Sequence, residues 1–423
     1  MLDIKLIREN PELIKEMLRK RGISFPLDRL INLDQTRRAL ITEVQKLKHQ
    51  RNLVSEEIGN LKKQGMDISK KIVEMKDLSN KIQEIDYKIQ EIEKEFNNLM
   101  LQLPNLIHDS VPEGKDENDN VVIRSWGEPT QFDFKPKDHI DLGLKLGLID
   151  LDRAAKVAGA RFYYLKGNLV LLNYALIHFA LDFMKGKGFT LVQPPYMLKR
   201  EAMSGAIILS DFEDVIYKLE GEDLYLIGTS EHALAAMHMN EVLDGKDLPL
   251  RYTGMSPCFR KEAGAHGRDT KGIFRVHQFE KVEQFVFSKP EDSWKEHEFM
   301  ISNAEEFFRK LGIPYRVVLL CSGDMGKVAA KTYDLEAWFP GQGKYREVVS
   351  CSNCTDYQAR RLNIKYRDKP HEEAKFVHTL NSTLVATERA LIAIMENYQQ
   401  KDGSIAIPEA LQPYMGGLKV ITG

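Results

Sequence analysis

Apolar positions recur every three or four residues along the first hundred residues of the chain. The spacing holds over two runs, and Arg51 is the one polar interruption in the first of them. The two runs comprise Leu40, Val44, Leu47, Val54, Ile58 and Leu61, then Met75, Leu78, Ile82, Ile85, Ile89, Ile92, Phe96, Leu99 and Leu103. A helix with this period buries one stripe against another helix, so both runs predict a coiled coil.

A short polar turn separates the two runs. Gly65 can end the first helix, and Asp67 can cap the second. Two helices joined by so short a turn must run antiparallel, and with roughly 35 residues each they would extend about 50 Å. A long oligomerisation coiled coil is the alternative, but the glycine turn favours a hairpin within one chain.

The character of the sequence changes near residue 105, after which Gly, Pro and aromatic residues become frequent. Short β-like runs are predicted at 224–227, 285–287, 315–320 and 346–350, and helices at 169–185, 293–311 and 386–398. Several of these strands lack a crossover helix between them, which predicts an α+β domain on a mostly antiparallel sheet flanked by helices. The predicted organisation is a helical domain at 1–105 with an arm at about 27–103, a linker at 106–120 and a second domain at 121–423.

Net charge does not indicate a nucleic-acid partner, because 60 Lys and Arg residues face 62 Asp and Glu residues and leave a formal charge of −2. Any basic surface must therefore be local. Within the predicted hairpin, residues 35–63 carry seven Lys or Arg against three Glu, whereas residues 67–99 carry six Lys against eight acidic residues. A basic stripe on the first helix can follow a phosphate backbone. The alternative is that these charges only keep the exposed face of the coiled coil solvated, as charged residues at such positions usually do.

Four cysteines in 423 residues are too few for a disulfide scaffold and are typical of a reducing compartment. The charged start of the chain lacks the apolar segment of a secretory signal, and no uncharged apolar stretch approaches 18 residues, so a cytoplasmic protein without a membrane span is expected. Cys351 and Cys354 form a C-x-x-C pair. Zinc would require a second ligand pair, which the sequence does not offer, and no zinc is expected.

The stretch 255–287 combines two strand-like segments with a polar, glycine-rich loop at 263–272, and the second strand is predicted to begin near Ile273. Basic residues in and around the loop predict an anion site: Lys261, His266, Arg268, Lys271 and Arg275. The sequence contains neither a P-loop nor a G-x-G-x-x-G turn. If ATP binds, it binds to another architecture.

This stretch resembles motif 2 of the class II aminoacyl-tRNA synthetases, and its HQFEKVE sequence at 277–283 is similar to the seryl family in particular. The segment at 189–195 (FTLVQPP) resembles motif 1, and 377–399 (VHTLNSTLVATERALIAIMENYQ) resembles motif 3. Three further features narrow the resemblance to the seryl-tRNA synthetase family. They are the N-terminal hairpin, TSE at 229–231 and REVVSCSN at 346–353, and the ending IPEALQPYMGG at 407–417 is also similar.

The resemblance implies an enzyme that activates L-serine with ATP and transfers it to tRNA(Ser), with tRNA(Sec) as a further candidate substrate. It implies a homodimer formed through motif 1, and no membrane partner. The implied catalytic residues are Arg260, Arg389 and Glu347. The implied ATP-binding residues are Arg260, Lys261, Glu262, Val276, Phe279, Glu347, Val348, Val349, Ser350 and Arg389. The implied serine-binding residues are Thr229, Ser230, Glu231, Arg260, Glu283, Asn381 and Thr383. Glu347 and Ser350 would hold Mg²⁺, the expected cofactor.

The sequence departs from the bacterial pattern of the family in three segments. Ser230 replaces an alanine, Ser-Thr-Leu at 382–384 replaces Gly-Ser-Gly, and Glu388 replaces the glycine before the motif 3 arginine. Thr383 keeps a hydroxyl, and the differences indicate a non-bacterial branch. Two other functions remain as alternatives. One is an amino acid:carrier-protein ligase on the same catalytic domain, and the other is a non-catalytic tRNA-binding protein derived from a synthetase.

Overall fold

The computed structural model describes residues 1–212, 214–262 and 271–423 of the chain. Its contacts divide these residues into two compact units. The smaller unit comprises Leu2–Arg19 and Ile23–Leu103, and the larger comprises Met1, Lys20–Gly22 and Pro104–Gly423. The predicted domain boundaries at 105 and 120 stay a prediction.

The smaller unit is helical and is dominated by two long helices. Its helices are α1 (Ile4–Glu9), α2 (Pro11–Lys20), α3 (Leu27–Lys63) and α4 (Ser69–Gln102). Gly65 has a φ of +69°, the left-handed conformation that lets the chain turn after α3. Asp67 accepts a hydrogen bond from the backbone N–H of Ser69 at 2.9 Å and so satisfies one free donor at the start of α4.

The apolar stripes of α3 and α4 face each other. Val44 packs against Ile82 and Ile85, with Leu40 and Ile89 partly buried beside them. The helical character of the N-terminal region and the antiparallel pairing of its two long helices are therefore confirmed.

Ion pairs between the two long helices neutralise part of the basic excess of α3. Lys48 lies 3.0 Å from Asp86, and Arg37 lies 3.2 Å from Glu93. Arg29 also pairs with Glu95. Charges engaged in this way are less available to a polyanion, so the basic surface of α3 is smaller than its composition indicates.

The larger unit is an α+β domain, as the sequence predicts. In chain order its elements are β1 (Val121–Trp126), α5 (His139–Lys145), β2 (Ile149–Asp150), α6 (Leu151–Ala158), β3 (Tyr164–Leu165), α7 (Asn168–Gly186), β4 (Thr190–Val192), β5 (Met197–Lys199), α8 (Arg200–Ala206), α9 (Leu209–Phe212), β6 (Leu224–Leu226), α10 (Ser230–Ala235), β7 (Val242–Asp244), β8 (Leu250–Phe259), β9 (Gln278–Ser288), α11 (Ser293–Lys310), β10 (Tyr315–Leu319), β11 (Lys331–Phe339), β12 (Lys344–Asn353), α12 (Tyr357–Leu362), β13 (Lys365–Arg367), β14 (Lys375–Phe376), β15 (His378–Ala386), α13 (Thr387–Asn397), β16 (Ile405–Ala406) and β17 (Val420–Ile421).

An eight-stranded sheet forms the centre of this unit. Its order is β1-β10-β11-β12-β15-β9-β8-β4, and every neighbouring pair is antiparallel except β4 with β8. The antiparallel sheet predicted from the sequence is confirmed. One register has a direct consequence for the site, because Glu283 on β9 lies opposite Thr383 on β15.

The main hydrophobic core lies between the sheet and the helices α7, α11 and α13. Leu176, Phe307 and Ile392 are fully buried in it. A second cluster around Phe285 and Phe287 packs against α8, α10 and α12. Both faces of the central strands are therefore covered, so a polar side chain on these strands must find a partner or face an internal cavity.

Helix α7 is long and apolar enough to cross a membrane by length and composition alone. One of its faces packs into the main core through Leu169, Leu172 and Met184. Packing in the core of this unit therefore explains the apolar composition of α7, since buried core helices of globular domains can be as long and as apolar as membrane-spanning ones.

The prediction that a strand begins near Ile273 is wrong, because β9 begins at Gln278. Ile273, Phe274 and Val276 are buried, but in an irregular segment whose apolar side chains enter the main core. The backbone N–H of Ile273 donates to His139 rather than to a neighbouring strand. An apolar run alone does not distinguish a strand from a buried irregular segment.

Candidate functional site

A cavity of about 610 Å³ lies in the larger unit and is lined by residues of β8, β9, β12 and β15, among others. Most of the residues singled out from the sequence line it. They are Thr229, Glu231, Arg260, Glu262, Phe279, Glu283, Glu347, Val348, Ser350, Asn381, Thr383 and Arg389. These side chains come from segments far apart in the chain, and the antiparallel register brings them together. The volume is typical of a pocket for a small-molecule ligand.

Four predicted residues do not line the cavity. Ser230 is buried and donates its hydroxyl to the carbonyl of Gly254 at 3.2 Å. Val276 and Val349 are side chains of the main core. Lys261 lies with its Nζ 5.8 Å from the ring centre of Tyr217. Two basic residues predicted at the loop tip, His266 and Arg268, lie outside the described residues.

Arg260 follows directly after β8 and extends over an aromatic ring. Its guanidinium carbon lies 5.2 Å from the ring centre of Phe279, and its Nε donates to the carbonyl oxygen of Gly228 at 3.1 Å. The hydrogen bond and the ring contact together restrict the side chain. A guanidinium placed in this way offers its remaining N–H groups to an anion in the cavity.

Arg389, at the start of α13, pairs with Glu347 from β12. Its Nη1 lies 3.2 Å from Glu347 Oε1 and donates to the Glu347 carbonyl at 3.1 Å. Desolvation alone would raise the pKa of Glu347, but the charges of Arg389, Arg260 and Arg275 outweigh it and hold the pKa below its ordinary value. Glu347 therefore stays ionised, and three arginines converge on this end of the cavity.

Glu388 is a buried carboxylic acid on the cavity wall. Burial raises its pKa to about 7, although the charge of Arg389 opposes the shift. Its Oε2 has no hydrogen-bond partner among the described residues. The site thus contains a carboxyl group that titrates near neutrality beside the arginine of motif 3.

Hard oxygen ligands are grouped where β11 and β12 pair. Asp334 lies opposite Ser350, and Glu347 and Ser350 both line the cavity. Asp334 Oδ1 is buried without a hydrogen-bond partner among the described residues. Burial and the neighbouring charge of Glu347 raise the pKa of Asp334 well above its ordinary value. An unpartnered carboxyl oxygen beside a carboxylate and a hydroxyl fits a divalent cation.

The described residues contain no group of three or more His, Cys, Asp or Glu side chains arranged to hold a metal ion. A cation at Glu347 and Ser350 would therefore need further oxygen ligands from a bound substrate. The C-x-x-C cysteines are buried thiols. Cys354 accepts a hydrogen bond from Asn381 Nδ2 at 3.6 Å, and burial raises the pKa of both thiols.

Glu262 lies at the cavity edge and pairs with Arg275 at 3.1 Å. Its φ of +50° is in the left-handed region, which a residue other than glycine adopts only when its surroundings hold it there. The backbone conformation and the ion pair together direct the carboxylate toward the cavity.

A second group of polar residues lines the opposite part of the cavity. Thr229 caps α10 and so fixes the start of the helix that carries Glu231. Glu231 Oε1 accepts one hydrogen bond from Gln358 and one from Asn381, each at 3.1 Å. Burial and the nearby charge of Glu283 raise the pKa of Glu231 to about 7.

Two basic residues of this part of the cavity, Lys281 and His232, were not predicted as site residues. Lys281 is buried on β9 and pairs with Glu283. His232 Nδ1 accepts the Gly228 N–H at 3.4 Å. Burial, then the charges of Arg260 and Lys281, lower its pKa to about 3, so the ring is neutral at pH 7. The sequence could have indicated Lys281, because every second residue of a strand faces the same side and residues 279 and 283 were already predicted to line the site.

Comparison with known proteins covers the whole chain. The family model "Seryl-tRNA synthetase N-terminal domain" matches residues 1–107, and "tRNA synthetase class II core domain (G, H, P, S and T)" matches residues 215–398. A relative from Nitrosopumilus maritimus, named serine–tRNA ligase, is 60% identical over 421 residues, which cover 100% of both chains.

Two solved structures are similar over their full length. Seryl-tRNA synthetase from Pyrococcus horikoshii, complexed with ATP, has a TM-score of 0.93 at 53% identity, covering 100% of this chain and 99% of its own. The cytoplasmic serine–tRNA ligase from Naegleria fowleri, in complex with AMP, has a TM-score of 0.87 at 45% identity with the same coverage.

Proposed function

The chain belongs to the seryl-tRNA synthetase family and is a serine–tRNA ligase of class II, and on that premise we propose how its cavity activates serine with ATP. The nucleotide occupies the part of the cavity lined by Arg260, Phe279, Glu347 and Arg389. The amino acid occupies the part around Glu231. Both parts belong to one continuous cavity, which supports a reaction between the two ligands.

Activation is the attack of the serine carboxylate on the α-phosphorus of ATP. An oxygen–phosphorus bond forms to serine, and the bond to pyrophosphate breaks. The nucleophile is already ionised, so no general base is required and the protein acts by alignment and charge neutralisation. Arg260 holds the serine carboxylate and the α-phosphate together. Arg389 contacts the γ-phosphate end and one face of the adenine, and Phe279 stacks on the other face. Glu262 accepts a hydrogen bond from the adenine amino group.

Serine offers a carboxylate, an ammonium and a hydroxyl. Glu231 and Glu283 supply negative charge for the ammonium and an acceptor for the hydroxyl, and Thr383 adds a second hydroxyl contact. A pocket built to bond a hydroxyl rejects alanine, because its polar groups would be left unpaired. The methyl group of Thr383 narrows the space around the substrate, which acts against threonine, whereas Leu384 packs into the main core and does not line the cavity.

Mg²⁺ is the proposed cofactor. Glu347 and Ser350 would hold it together with phosphate oxygens of ATP, and it would neutralise charge on those oxygens. The ionised carboxylate of Glu347 and the unpartnered oxygen of Asp334 fit such a site, and the converging arginines would bind the phosphate oxygens instead of the metal.

The second step transfers serine to the 3′ end of tRNA(Ser) and releases AMP. We propose that the helical arm α3–α4 binds the tRNA and that two copies of the chain form a homodimer through motif 1 at 189–195. The arm of one subunit would then serve the cavity of the other. The cytoplasm is the proposed site of action.

One observation supports this proposal above the others: Arg260, Phe279, Glu347 and Arg389 share a single cavity. The test is ATP–pyrophosphate exchange with each of the twenty amino acids. We expect exchange with serine and with none of the other nineteen amino acids, and we expect the chain to charge tRNA(Ser). A carrier-protein ligase would exchange without charging tRNA, and a non-catalytic protein would give no exchange.

The affinity for serine is expected to fall in acid. Since the pKa of Glu231 is raised to about 7, the carboxyl binds a proton below that pH and loses the charge that attracts the ammonium. The value of kcat/KM for serine should therefore fall about tenfold per pH unit below pH 7, measured by exchange between pH 5.5 and 8.5. The groups that face Glu231 are Lys281, Glu283, Arg260, Gln358, Asn381 and Cys354.

Glu388 provides an internal comparison, because its pKa is also raised to about 7 but it lies beside Arg389 in the nucleotide part. Its titration should affect KM for ATP rather than for serine. A Glu231→Gln variant is expected to have low activity with serine and no acid limb in its profile. A flat wild-type profile for serine between pH 5.5 and 8.5 would contradict the role of Glu231.

A further inference from the structure

Lys281 is a buried cation inside the pocket that we assign to serine. Only 6% of the residue is exposed, and the side chain lines the cavity between Phe279 and Glu283 on the same face of β9. Burying an ammonium is costly unless it is paired and hydrogen-bonded. Its place in a ligand pocket therefore calls for a functional explanation as well as a structural one.

The contacts of Lys281 converge on one oxygen of Glu283. Lys281 Nζ forms an ion pair with Glu283 Oε2, and the hydroxyl of Thr383 donates to the same oxygen at 3.3 Å. Lys281 Nζ also lies 3.5 Å from Thr383 Oγ1. Among the described residues, Oε1 of Glu283 has no hydrogen-bond partner, so the triad leaves one carboxylate oxygen for a ligand.

The two carboxylates of the pocket differ in their surroundings. Glu283 has a permanent cation in contact, whereas the donors to Glu231 among the described residues are the neutral amides of Gln358 and Asn381. A substrate ammonium gains most beside the carboxylate that is not already paired with a cation. The paired carboxylate is better suited to accept a neutral hydroxyl.

We propose that Lys281 is a positioning residue that sets specificity: it holds Glu283 for the side-chain hydroxyl of the amino acid and directs the α-ammonium to Glu231. The inference rests on the proposed function, because it requires that this part of the cavity binds serine. Lys281 acts through Glu283 and need not touch the substrate. It makes the hydroxyl, rather than the ammonium, the group that Glu283 recognises.

The test compares Lys281→Gln with Lys281→Arg in the full-length chain by pyrophosphate exchange. In Lys281→Gln, kcat/KM for serine should fall about a hundredfold, because Glu283 loses its buried partner. The preference for serine over alanine should fall at least about tenfold, since Glu283 no longer selects the hydroxyl. KM for ATP should not change. Lys281→Arg, which keeps the charge, should restore part of the loss.

A pH profile separates positioning from a merely structural effect. Lys281 lowers the pKa of Glu231, so removing its charge should move the acid limb of kcat/KM for serine to higher pH. Lys289→Gln is the control, because Lys289 also forms a lysine–carboxylate pair, with Asp368 at 2.6 Å, but this pair is more exposed and lies outside the cavity. This control should leave the serine preference and the pH profile unchanged.

Three results would overturn the inference. The first is wild-type kinetics and a wild-type pH profile in Lys281→Gln. The second is an equal loss of kcat/KM for ATP and for serine in that variant. If Lys281→Gln does not fold, the double variant Lys281→Met/Glu283→Gln removes both charges of the pair, and the third result is an unchanged preference of this double variant for serine over alanine. No serine-dependent exchange by the unmodified chain would instead overturn the proposed function, and this inference with it.

Discussion

Replacing Arg260 by alanine is expected to reduce serine-dependent pyrophosphate exchange at least about a thousandfold, because the variant loses the cation that aligns the serine carboxylate with the α-phosphate. In the structure, Arg260 is held by the Gly228 carbonyl and the ring of Phe279. It therefore approaches the substrates already oriented, and its removal should affect kcat more than KM. Steady-state exchange kinetics with serine and with ATP measure the effect.

Arg260→Lys is the informative companion variant. It keeps the positive charge but cannot form the planar, two-pronged contact, so it should remain severely impaired. Full recovery in Arg260→Lys would reduce the role of Arg260 to charge alone. Exchange close to the wild-type rate in Arg260→Ala would refute the assignment. The unfolding transition of each variant shows whether the loss is one of chemistry or of folding.

Much of the fold followed from local patterns in the sequence. The three- and four-residue spacing around Val44 and Ile82 determines which faces of α3 and α4 meet, and Gly65 marks where the chain turns. Strands such as β10 and β12 were predicted from short β-branched runs. These features are encoded by neighbouring residues, which is why a pass along the chain finds them.

The segment before β9 shows where local pattern fails. Ile273 and Phe274 have the apolar character of a strand, yet their backbone follows the irregular course set by packing against the main core and by the hydrogen bond to His139. Which partner a backbone N–H takes is a tertiary property. A short stretch of sequence around the residue therefore does not determine that partner.

The candidate site shows a related limit. Arg260, Glu347 and Arg389 were named from motifs, but their common cavity depends on strand register across β9, β12 and β15. Lys281 was missed because a lysine within a strand is usually taken as an exposed residue. Its burial depends on tertiary contacts: the neighbouring strand β15 places Thr383 beside it, and Glu283 on the same face of β9 pairs with it.

Deletion of residues 40–99, with the ends joined by a short glycine linker, is expected to separate the two steps of the reaction. The cavity residues all belong to the larger unit, so exchange with serine and ATP should remain largely intact. Charging of tRNA(Ser) should fall at least about a thousandfold, because the truncated chain lacks the proposed phosphate-binding surface of the arm. Parallel exchange and charging assays on one preparation measure both steps.

The structure also indicates which charges of the arm matter. Lys46, Arg51, Lys62 and Lys63 on α3 form no ion pair within the described chain, whereas Lys48 pairs with Asp86. Alanine at the four unpaired positions should weaken tRNA binding and reduce its salt dependence by roughly one unit of slope for each phosphate that the arm no longer neutralises.

Lys48→Ala is the control for these substitutions, because its charge is already neutralised within the hairpin, and it should alter tRNA binding much less. Equal effects at paired and unpaired positions would mean that the field of the whole arm, rather than individual side chains, attracts the tRNA. The deletion could instead abolish exchange while the larger unit kept its cooperative unfolding. The helical arm would then do more than bind tRNA, and the assignment of serine activation to the cavity of the larger unit would be wrong.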